Sequence, residues 1–465
     1  MNVKKFCLSK TKNLKEAMRI IDVGGYGIAL VVDGNKHLLG VVTDSDIRRA
    51  LLQGISLETP VKEVMNTNPV TIEKENTKED ILPISIQDKL YPYGSMVIPV
   101  VNKNKVVESL VVATKKGIVS KAFNYEKNKP VRRVLVVGGA GYVGSLLCEK
   151  LLRKGYKVRI LDNLMYGADG IKPIFYHSNL EFVYGDVRDM EKVMDSIKGV
   201  DAVIHLAAIV GDPASALNPK ETIESNYFAT KMLAEMCKYS QINRFIFAST
   251  CSVYGAAVEG KMLTEESSLN PVSLYAEMKL KSEQGILELE DENFSPTILR
   301  KATLYGKSYR MRFDLVVNIL TIKALKENKF EIFGGNQYRA LCHVSDVVDA
   351  YVKCLEAPIE KVKGQVFNIV TENMEIVKIG EIVHKLIPNS KMVVVKDAKD
   401  IRNYCVDGSK IKKVLLFNGG KSIKDGIEEI KAAVKKGLYA DHKDPKYSNV
   451  DFLRCKNENK VMYEM

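Results

Sequence analysis

The sequence lacks tryptophan, and its eight cysteines and six histidines are sparse for 465 residues. The cysteines form no Cys-x-x-Cys pair and the histidines show no ligand spacing, so we expect neither a metal site nor a disulfide framework. No apolar run reaches the roughly 18 residues of a membrane span, and Met1–Phe6 begins no signal-peptide core. These absences predict a cytoplasmic protein without a membrane partner.

Charge and length narrow the class further. The chain carries 69 Lys and Arg against 57 Asp and Glu, a net charge of +12, and 46% of its residues are hydrophobic. Its length predicts two or three globular domains. The positive charge fits either a solvated basic surface or attraction for polyanionic small molecules such as nucleotides. No helix-turn-helix, zinc-finger or aromatic RNA-binding pattern occurs, so nucleic acid is not an expected partner.

A glycine-rich turn is the most informative feature that is present. The apolar run Val134–Val137 is typical of a buried parallel strand, and Gly138, Gly141 and Gly144 follow it at three-residue spacing. Glycine at these positions permits a sharp turn, close approach of a pyrophosphate and packing of a helix on a sheet. An amphipathic stretch then extends to Arg153. The N-terminus of that helix offers unpaired N–H groups and a positive dipole end to phosphate.

Two later features fit the same site. A second strand, 157–161, ends in Asp162, about 20 residues after the turn, where a ribose-binding carboxylate is expected. Tyr275 and Lys279 form a Tyr-x-x-x-Lys pattern, which places both side chains on one face of a helix. Strand, glycine turn, acid and Tyr-x-x-x-Lys in this order are hard to obtain by chance and predict a dinucleotide site.

An internal repeat precedes the glycine turn. A polar, non-periodic stretch, 121–130, separates the repeat from the strand at Val134. The elements predicted for the two copies are a helix at 14–21, strands at 28–32 and 38–42 and a helix at 44–52, then a helix at 78–87 and strands at 96–101 and 106–112.

The repeat resembles a pair of CBS domains, tandem α+β modules that often bind adenine nucleotides. The resemblance is carried by Gly40–Ile47 and by Val64–Asn66. It implies that Thr43 and Asp46 contact the phosphate and ribose of AMP, ADP or ATP, whereas the second copy has no Asp after Thr114. Two interpretations stay open. The pair is either a regulatory nucleotide site or a packing and dimerisation module in which Thr43 only caps the following helix.

Strands and helices alternate after the boundary, which predicts an α/β, doubly wound parallel sheet of the Rossmann type. The predicted domains are a CBS pair (1–120), a linker (121–131), a Rossmann domain (132–440) whose small substrate lobe starts at about residue 305, and a C-terminal tail (441–465). Strands are expected at 134–137, 157–161, 181–184, 202–206, 244–249 and 296–300, and helices at 142–153, 189–197, 219–238 and 273–290.

Residues 132–440 resemble the extended short-chain dehydrogenase/reductases that act on nucleotide-sugars, the UDP-glucose 4-epimerase and dTDP-glucose 4,6-dehydratase group. The resemblance is carried by Gly138–Gly144, Asp162–Leu164, Gly185–Asp189, His205–Ala208, Ser249–Gly255, Tyr275–Lys279 and Arg339–Val344. It implies NAD rather than NADP, because Asp162 binds both ribose hydroxyls and repels a 2′-phosphate. The implied NAD-binding residues are Gly138, Gly141, Tyr142, Val143, Gly144, Asp162, Asn163, Asp186, Val187, Leu206, Ala207, Ala208, Tyr275 and Lys279.

The same resemblance implies that Thr250, Tyr275 and Lys279 are catalytic. A free phenol has a pKa of about 10, and Lys279 with the positive nicotinamide ring is expected to lower the pKa of Tyr275 toward working pH. Tyr275 then takes the proton of a sugar hydroxyl while Thr250 steadies the oxygen. The implied residues for the nucleotide-diphosphate sugar are Thr250, Cys251, Ser252, Thr303, Arg339 and Arg402. Arg300 and Arg402 are the weaker phosphate candidates, and a structural ion pair at the strand end fits Arg300 equally well.

The residues after Thr250 bear on the reaction. The 4,6-dehydratases carry Thr-Asp-Glu-Val-Tyr-Gly, and here Cys251 and Ser252 replace both acids that eliminate water. Three interpretations stay open: an NAD-dependent nucleotide-sugar 4-epimerase, which the sequence favours; an NAD(P)-dependent 4-ketoreductase or dehydrogenase; and a non-catalytic NAD or nucleotide sensor. The resemblance also implies a homodimer or larger homo-oligomer.

Overall fold

The computed structural model describes residues 3–24, 27–73, 95–114, 117–120, 131–255, 262–395 and 403–458. The chain divides into two compact units, Met1–Lys129 and Pro130–Met465. No helix within the described ranges is long and apolar enough to cross a membrane, and the same ranges hold no cluster of three or more potential metal-ligand side chains.

The first unit contains two small sheets with the strand orders β1-β2-β3 and β4-β5-β6-β7. Residues from both sheets share one apolar cluster that includes Leu30 and Leu110. The elements of the first predicted repeat are present, whereas the helix predicted at 78–87 lies outside the described residues. The elements are β1 (Cys7–Ser9), α1 (Leu14–Gly24), β2 (Ile28–Val32), β3 (Leu38–Thr43), α2 (Asp44–Leu52), β4 (Ile72–Glu73), β5 (Ser95–Val101), β6 (Val107–Thr114) and β7 (Gly117–Ser120).

The second unit is built on a seven-stranded sheet in which every neighbouring pair is parallel. This architecture confirms the predicted α/β class, and the six predicted strands match to within one residue at each end. In order across the sheet, the strands are β10 (Leu180–Tyr184), β9 (Lys157–Asp162), β8 (Arg133–Val137), β11 (Ala202–His205), β12 (Arg244–Thr250), β14 (Ser295–Lys301) and β18 (Gln365–Ile369).

Burial explains why the central strands carry almost no polar residues. Val134–Val137 in β8 are fully buried, because helices cover both faces of a parallel sheet. The predicted helix 219–238 is present but is interrupted by one π-helical turn, Glu224–Phe228. The helices along this part of the chain are α3 (Tyr142–Arg153), α4 (Met190–Ile197), α5 (Asp212–Leu217), α6 (Pro219–Ile223), α7 (Ala229–Tyr239) and α8 (Leu274–Leu287).

The described residues beyond 302 form regular secondary structure. They form small sheets and helices around a separate apolar cluster that includes Tyr305 and Phe330, yet β18 returns to the large sheet. The tail predicted from 441 contains a helix. The remaining elements are β13 (Met262–Leu263), β15 (Thr303–Tyr305), α9 (Val316–Lys326), β16 (Lys329–Phe333), β17 (Tyr338–His343), α10 (Val344–Glu356), α11 (Ile359–Val362), β19 (Glu372–Glu375), α12 (Ile376–Leu386), β20 (Lys391–Val395), β21 (Cys405–Val406), α13 (Ser409–Leu415), α14 (Ile423–Lys435) and α15 (Asn449–Asn457).

Candidate active site

A large cleft of ≈ 1140 Å³ opens at the carboxyl ends of the parallel strands. It lies where the strand order reverses between β8 and β11, the position at which open α/β sheets bind ligands. Cys251 and Lys279 are buried outside its lining, and Arg402 lies outside the described residues. The predicted site residues that line the cleft are Gly138, Gly141, Tyr142, Val143, Gly144, Asp162, Asn163, Asp186, Val187, Leu206, Ala207, Ala208, Thr250, Ser252, Tyr275, Thr303 and Arg339.

The glycine turn has the conformation that its sequence predicts. Gly138 has φ +87°, and a Cβ there would lie 2.6 Å from the amide nitrogen of Ala207. A Cβ on Gly144 would overlap the carbonyl oxygen of Gly138. The turn therefore packs tightly and leads into the N-terminus of α3, with Gly141 as the residue that precedes it. A helix start of this kind is suited to a pyrophosphate.

Carboxylates line the far side of the turn. Asp162 accepts hydrogen bonds from the amides of Ala140 (2.9 Å) and Leu164 (2.8 Å), and burial raises its pKa. Burial opposes ionisation of Asp186 too, but hydrogen bonds from Arg188 and Asn163 hold its pKa below the usual range. Both carboxylates are thus fixed at strand ends beside the glycine turn, and these groups fit the ribose and adenine of the expected NAD.

Thr250 and Tyr275 meet in the cleft. Both side chains line it, and the Thr250 hydroxyl lowers the pKa of Tyr275. Thr250 Oγ1 donates a hydrogen bond to Ser252 Oγ at 3.1 Å. In the chain without NAD, burial raises the pKa of Tyr275, and the nearby Arg312 and the Thr250 hydroxyl only partly offset that effect. The lowering expected from Lys279 together with the nicotinamide ring stays a prediction. Two hydroxyls placed side by side in this way can hold and deprotonate one substrate oxygen.

Lys279 lies one helical turn beyond Tyr275 in α8. It is only 2% exposed, and its Nζ lies 4.6 Å from the centroid of the Phe247 ring. Burial lowers its pKa well below the usual range, and the nearby Lys301 adds to that effect. In the chain without NAD, the groups that lower the pKa of Tyr275 are Arg312 and Thr250 rather than Lys279.

The predicted substrate residues divide into two groups. Arg339 and Thr303 line the cleft from adjacent strands of the C-terminal lobe. By contrast, the Cys251 thiol points to the carbonyl of Arg300 at 3.4 Å, and burial raises its pKa. Arg300 itself pairs with Glu283 at 2.7 Å, with both side chains almost fully buried. Arg300 therefore forms a structural ion pair with Glu283 and is not placed to bind a phosphate.

Several residues of the cleft were not predicted. Arg310 and Arg312 follow Gly306 in a loop, and Lys301, whose pKa burial and Arg312 lower to about 8, ends β14. The Arg-x-Arg pattern of this loop was the available signal, since basic residues in a substrate cleft attract phosphate or carboxylate. Residues 442–444 and 447–451 also line the cleft.

In the first unit, Thr43 and Asp46 form a capping box at the start of α2. Thr43 Oγ1 donates to Asp46 Oδ2 at 2.7 Å, and the Thr43 amide donates to the same oxygen at 2.9 Å. The helix cap that the sequence left open as one interpretation is thus present. A cap does not exclude a ligand, because Asp46 keeps 21% of its side chain exposed.

Comparisons with known proteins agree with this architecture. A model of the NAD dependent epimerase/dehydratase family matches residues 134–370, and a CBS-domain model matches residues 1–53. The chain is 30% identical over 309 residues to an uncharacterised UDP-glucose epimerase, YtcB, of Bacillus subtilis (strain 168), an alignment that spans 63% of this chain and 95% of the relative. It is 28% identical over 317 residues to a UDP-N-acetyl-α-D-glucosaminuronate decarboxylase of Bacillus cytotoxicus, spanning 64% and 96%.

A solved structure gives the same result. The UDP-glucuronic acid 4-epimerase of Bacillus cereus, in complex with UDP-glucuronic acid and NAD, matches with a TM-score of 0.59 at 27% identity. The match covers 66% of this chain and 100% of the epimerase chain. From the glycine turn to the seventh strand of its large sheet, this chain therefore belongs to the NAD-dependent epimerase/dehydratase family.

Proposed function

We propose that this chain is an NAD-dependent 4-epimerase of UDP-sugars. The observation that carries the proposal is that Thr250 and Tyr275 line the same cleft, with the Thr250 hydroxyl acting on the pKa of Tyr275. The relatives named above, whose names place them on UDP-sugars, support the nucleotide. Arg339 in the cleft wall is the group proposed for the diphosphate, because a guanidinium can bind two phosphate oxygens at once.

The two hydroxyls divide the proton chemistry. Tyr275 removes the proton of the C4 hydroxyl, and Thr250 donates a hydrogen bond to the same oxygen as it becomes a carbonyl. When bound, NAD supplies the hydride acceptor and, on its oxidised nicotinamide ring, a positive charge that favours the phenolate of Tyr275. Once the 4-keto sugar has turned over in the cleft, C4 regains the hydride on its opposite face while Tyr275 returns the proton to the oxygen, so the configuration at C4 is inverted.

The residues beside Thr250 support epimerisation over loss of water. Elimination needs an acid and a base near C5 and C6 of the sugar, and the positions after Thr250 hold Cys251 and Ser252 instead of carboxylates. The thiol cannot replace them, because it is buried away from the cleft and its pKa is raised. Oxidation and reduction at one carbon is the chemistry that the remaining groups support.

Product analysis tests this proposal. We expect the purified chain, incubated with UDP-glucose, UDP-glucuronic acid or their N-acetylated counterparts and no added cofactor, to give the C4 epimer by ¹H NMR. Turnover that requires added NADH or NADPH and a 4-keto sugar would instead identify a ketoreductase. Release of CO₂ from a UDP-uronate would identify a decarboxylase.

We further propose that the first unit binds an adenine nucleotide at Thr43 and Asp46. The CBS-domain match to residues 1–53 supports this proposal. The half-buried Thr43 caps the N-terminus of α2, the positive end of the helix dipole, which suits a phosphate. The exposed part of Asp46 is available to ribose hydroxyls.

Calorimetry on the full chain tests the CBS proposal. The titrations with AMP, ADP and ATP contain saturating NAD, which blocks adenosine binding in the Rossmann cleft. We expect Thr43→Val and Asp46→Ala to weaken the binding at least about tenfold, since each removes a hydrogen bond to a charged or polyhydroxylated ligand. Ser45→Ala, an exposed neighbour, is the control. Absence of heat with all three nucleotides would leave the capping box as the whole role of Thr43.

A further inference from the structure

Buried polar atoms without partners cluster on one wall of the cleft. Arg310 is 4% exposed, and no atom among the described residues accepts a hydrogen bond from its Nε or Nη2. The hydroxyl of Tyr166 and Oδ1 of Asn449, a residue 3% exposed, are buried and unpartnered in the same sense. Buried polar groups in proteins are normally paired. Three side chains left unsatisfied beside one cleft point to a ligand.

Arg310 is held in a fixed position. Its guanidinium carbon lies 4.3 Å from the centroid of the Tyr166 ring, and burial with the nearby Arg312 lowers its pKa to about 10. Arg312 is different, because it pairs with both oxygens of Asp314 at 2.9 Å. An anionic group is the strongest partner for a buried guanidinium that retains free donors, because it balances the charge and accepts the hydrogen bonds.

The location of Arg310 indicates which anion would bind there. Its loop is attached to the first turns of α3, where Ser308 Oγ donates to the Tyr142 carbonyl at 2.6 Å and lies 3.0 Å from Ser145 Oγ. Tyr166 stands four residues after Asp162 in the loop that follows β9. Arg310 therefore lies between the start of α3 and the ribose-binding strand end, where a dinucleotide places its pyrophosphate.

The C-terminal segment, 442–453, completes this wall. The backbone N–H of Asn449 donates to the Asp314 carboxylate at 3.0 Å, and its side-chain Nδ2 donates to the Val210 carbonyl at 3.0 Å. The Phe452 ring packs on Tyr166 with centroids 5.4 Å apart. Leu453 joins the apolar cluster of the loop after β11. The segment thus ties together the three loops that follow β9, β11 and β15.

We propose that Arg310, with Tyr166 and Asn449, binds the pyrophosphate oxygens of NAD, and that the C-terminal segment holds this clamp closed so that the cofactor stays bound between turnovers. The inference rests on the proposed function, because an epimerase reuses the same NAD in every cycle. It concerns cofactor binding alone, so NAD affinity tests it whether or not a sugar is epimerised.

Arg310→Met is the decisive variant, since methionine keeps most of the length that covers Tyr166 but removes the charge. We expect the NAD Kd, measured by calorimetry on NAD-stripped full-length protein, to rise about 10- to 100-fold. Arg310→Lys should recover part of the affinity. Arg454→Met is the matched control, because Arg454 directly follows the C-terminal segment and its side chain is 58% exposed. NAD content per purified chain, measured after denaturation, should follow the same order.

A structural role makes the opposite prediction for the cofactor-free protein. If Arg310 binds NAD, the stripped Arg310→Met variant should melt no lower than the stripped wild type, because it loses an unpaired buried cation. A lower Tm of the stripped variant would overturn the clamp, as would an NAD Kd within twofold of wild type. A changed KM for UDP-uronates with unchanged NAD affinity would also overturn it and would place the sugar carboxylate at Arg310.

Discussion

Tyr275→Phe should lower kcat about 10²- to 10⁴-fold while the Kd values for NAD and the UDP-sugar change little. The substitution removes only the phenolic oxygen, which the proposed reaction uses in the transition state, so turnover is lost and ground-state binding is retained. The ring remains packed against the cleft wall in the variant. Single-turnover assays with the purified chain measure the rate, and calorimetry with NAD and UDP-sugar measures the binding.

Tyr254→Phe provides the control for this variant. Tyr254 is a buried tyrosine of the same unit whose hydroxyl donates to Asn368 at 2.7 Å and accepts from Arg300 at 3.1 Å, outside the cleft lining. Its loss should cost about 1–2 kcal/mol of stability and leave the rate per folded molecule near wild type. A Tyr275→Phe enzyme with near wild-type kcat would remove Tyr275 from the chemistry, and a matching loss in Tyr254→Phe would mean that the assay reports folding.

The pH profile of the wild type carries a related expectation. Burial raises the pKa of Tyr275 in the chain by itself, so the phenolate that removes the proton becomes more populated as pH rises. We expect kcat to increase with pH on the acid side of its profile, and this limb should be absent from Tyr275→Phe. A limb retained in the variant would assign the titration to another group.

Local signals explain what the sequence could predict. The glycine turn, the strand that precedes it and Asp162 lie within about 30 residues, the span of one βαβ unit, and their conformation depends mainly on neighbours in the chain. Alternation of apolar strands with amphipathic helices predicted six of the seven sheet strands. The seventh, β18, follows a long excursion through the lobe, and its place at the sheet edge depends on pairing with β14.

The features of the site that the sequence did not predict depend on tertiary contacts. Whether Lys279 reaches the cleft cannot be read from a Tyr-x-x-x-Lys spacing, because its ammonium packs over Phe247, which lies on a separate strand. The raised pKa of Tyr275 comes from burial by several elements. Arg310 and Asn449 are 139 positions apart and share no motif. That both line the same cleft is visible only after the chain has folded.

The ion pair beneath the active site leads to the second large effect. Glu283→Gln should lower the free energy of unfolding by about 3–5 kcal/mol, since it leaves the Arg300 guanidinium as a buried charge without its carboxylate. Arg300 donates from Nη2 to Glu283 at 2.7 Å and from Nε at 3.1 Å, and Ser249 also donates to that carboxylate. Far-UV circular dichroism during urea unfolding measures the change, because the chain has no tryptophan to report it by fluorescence.

Two comparisons separate the buried charge from a general loss of contacts. Asp451→Asn breaks an exposed pair with Arg454, whose side chains are 54% and 58% exposed, and should cost less than about 1 kcal/mol. The double variant Glu283→Met with Arg300→Met should be more stable than Glu283→Gln, because it removes both charges and keeps the volume. A Glu283→Gln cost below about 1 kcal/mol would show that the Tyr254 hydroxyl and the Glu265 carbonyl, which both accept from Arg300, satisfy it without the carboxylate.

The same ion pair bears on activity. Glu283 lies two turns beyond Tyr275 on α8, so the pair fixes the helix that carries the proposed base against β14. The Glu283→Gln variant should therefore lose activity in step with its folded fraction.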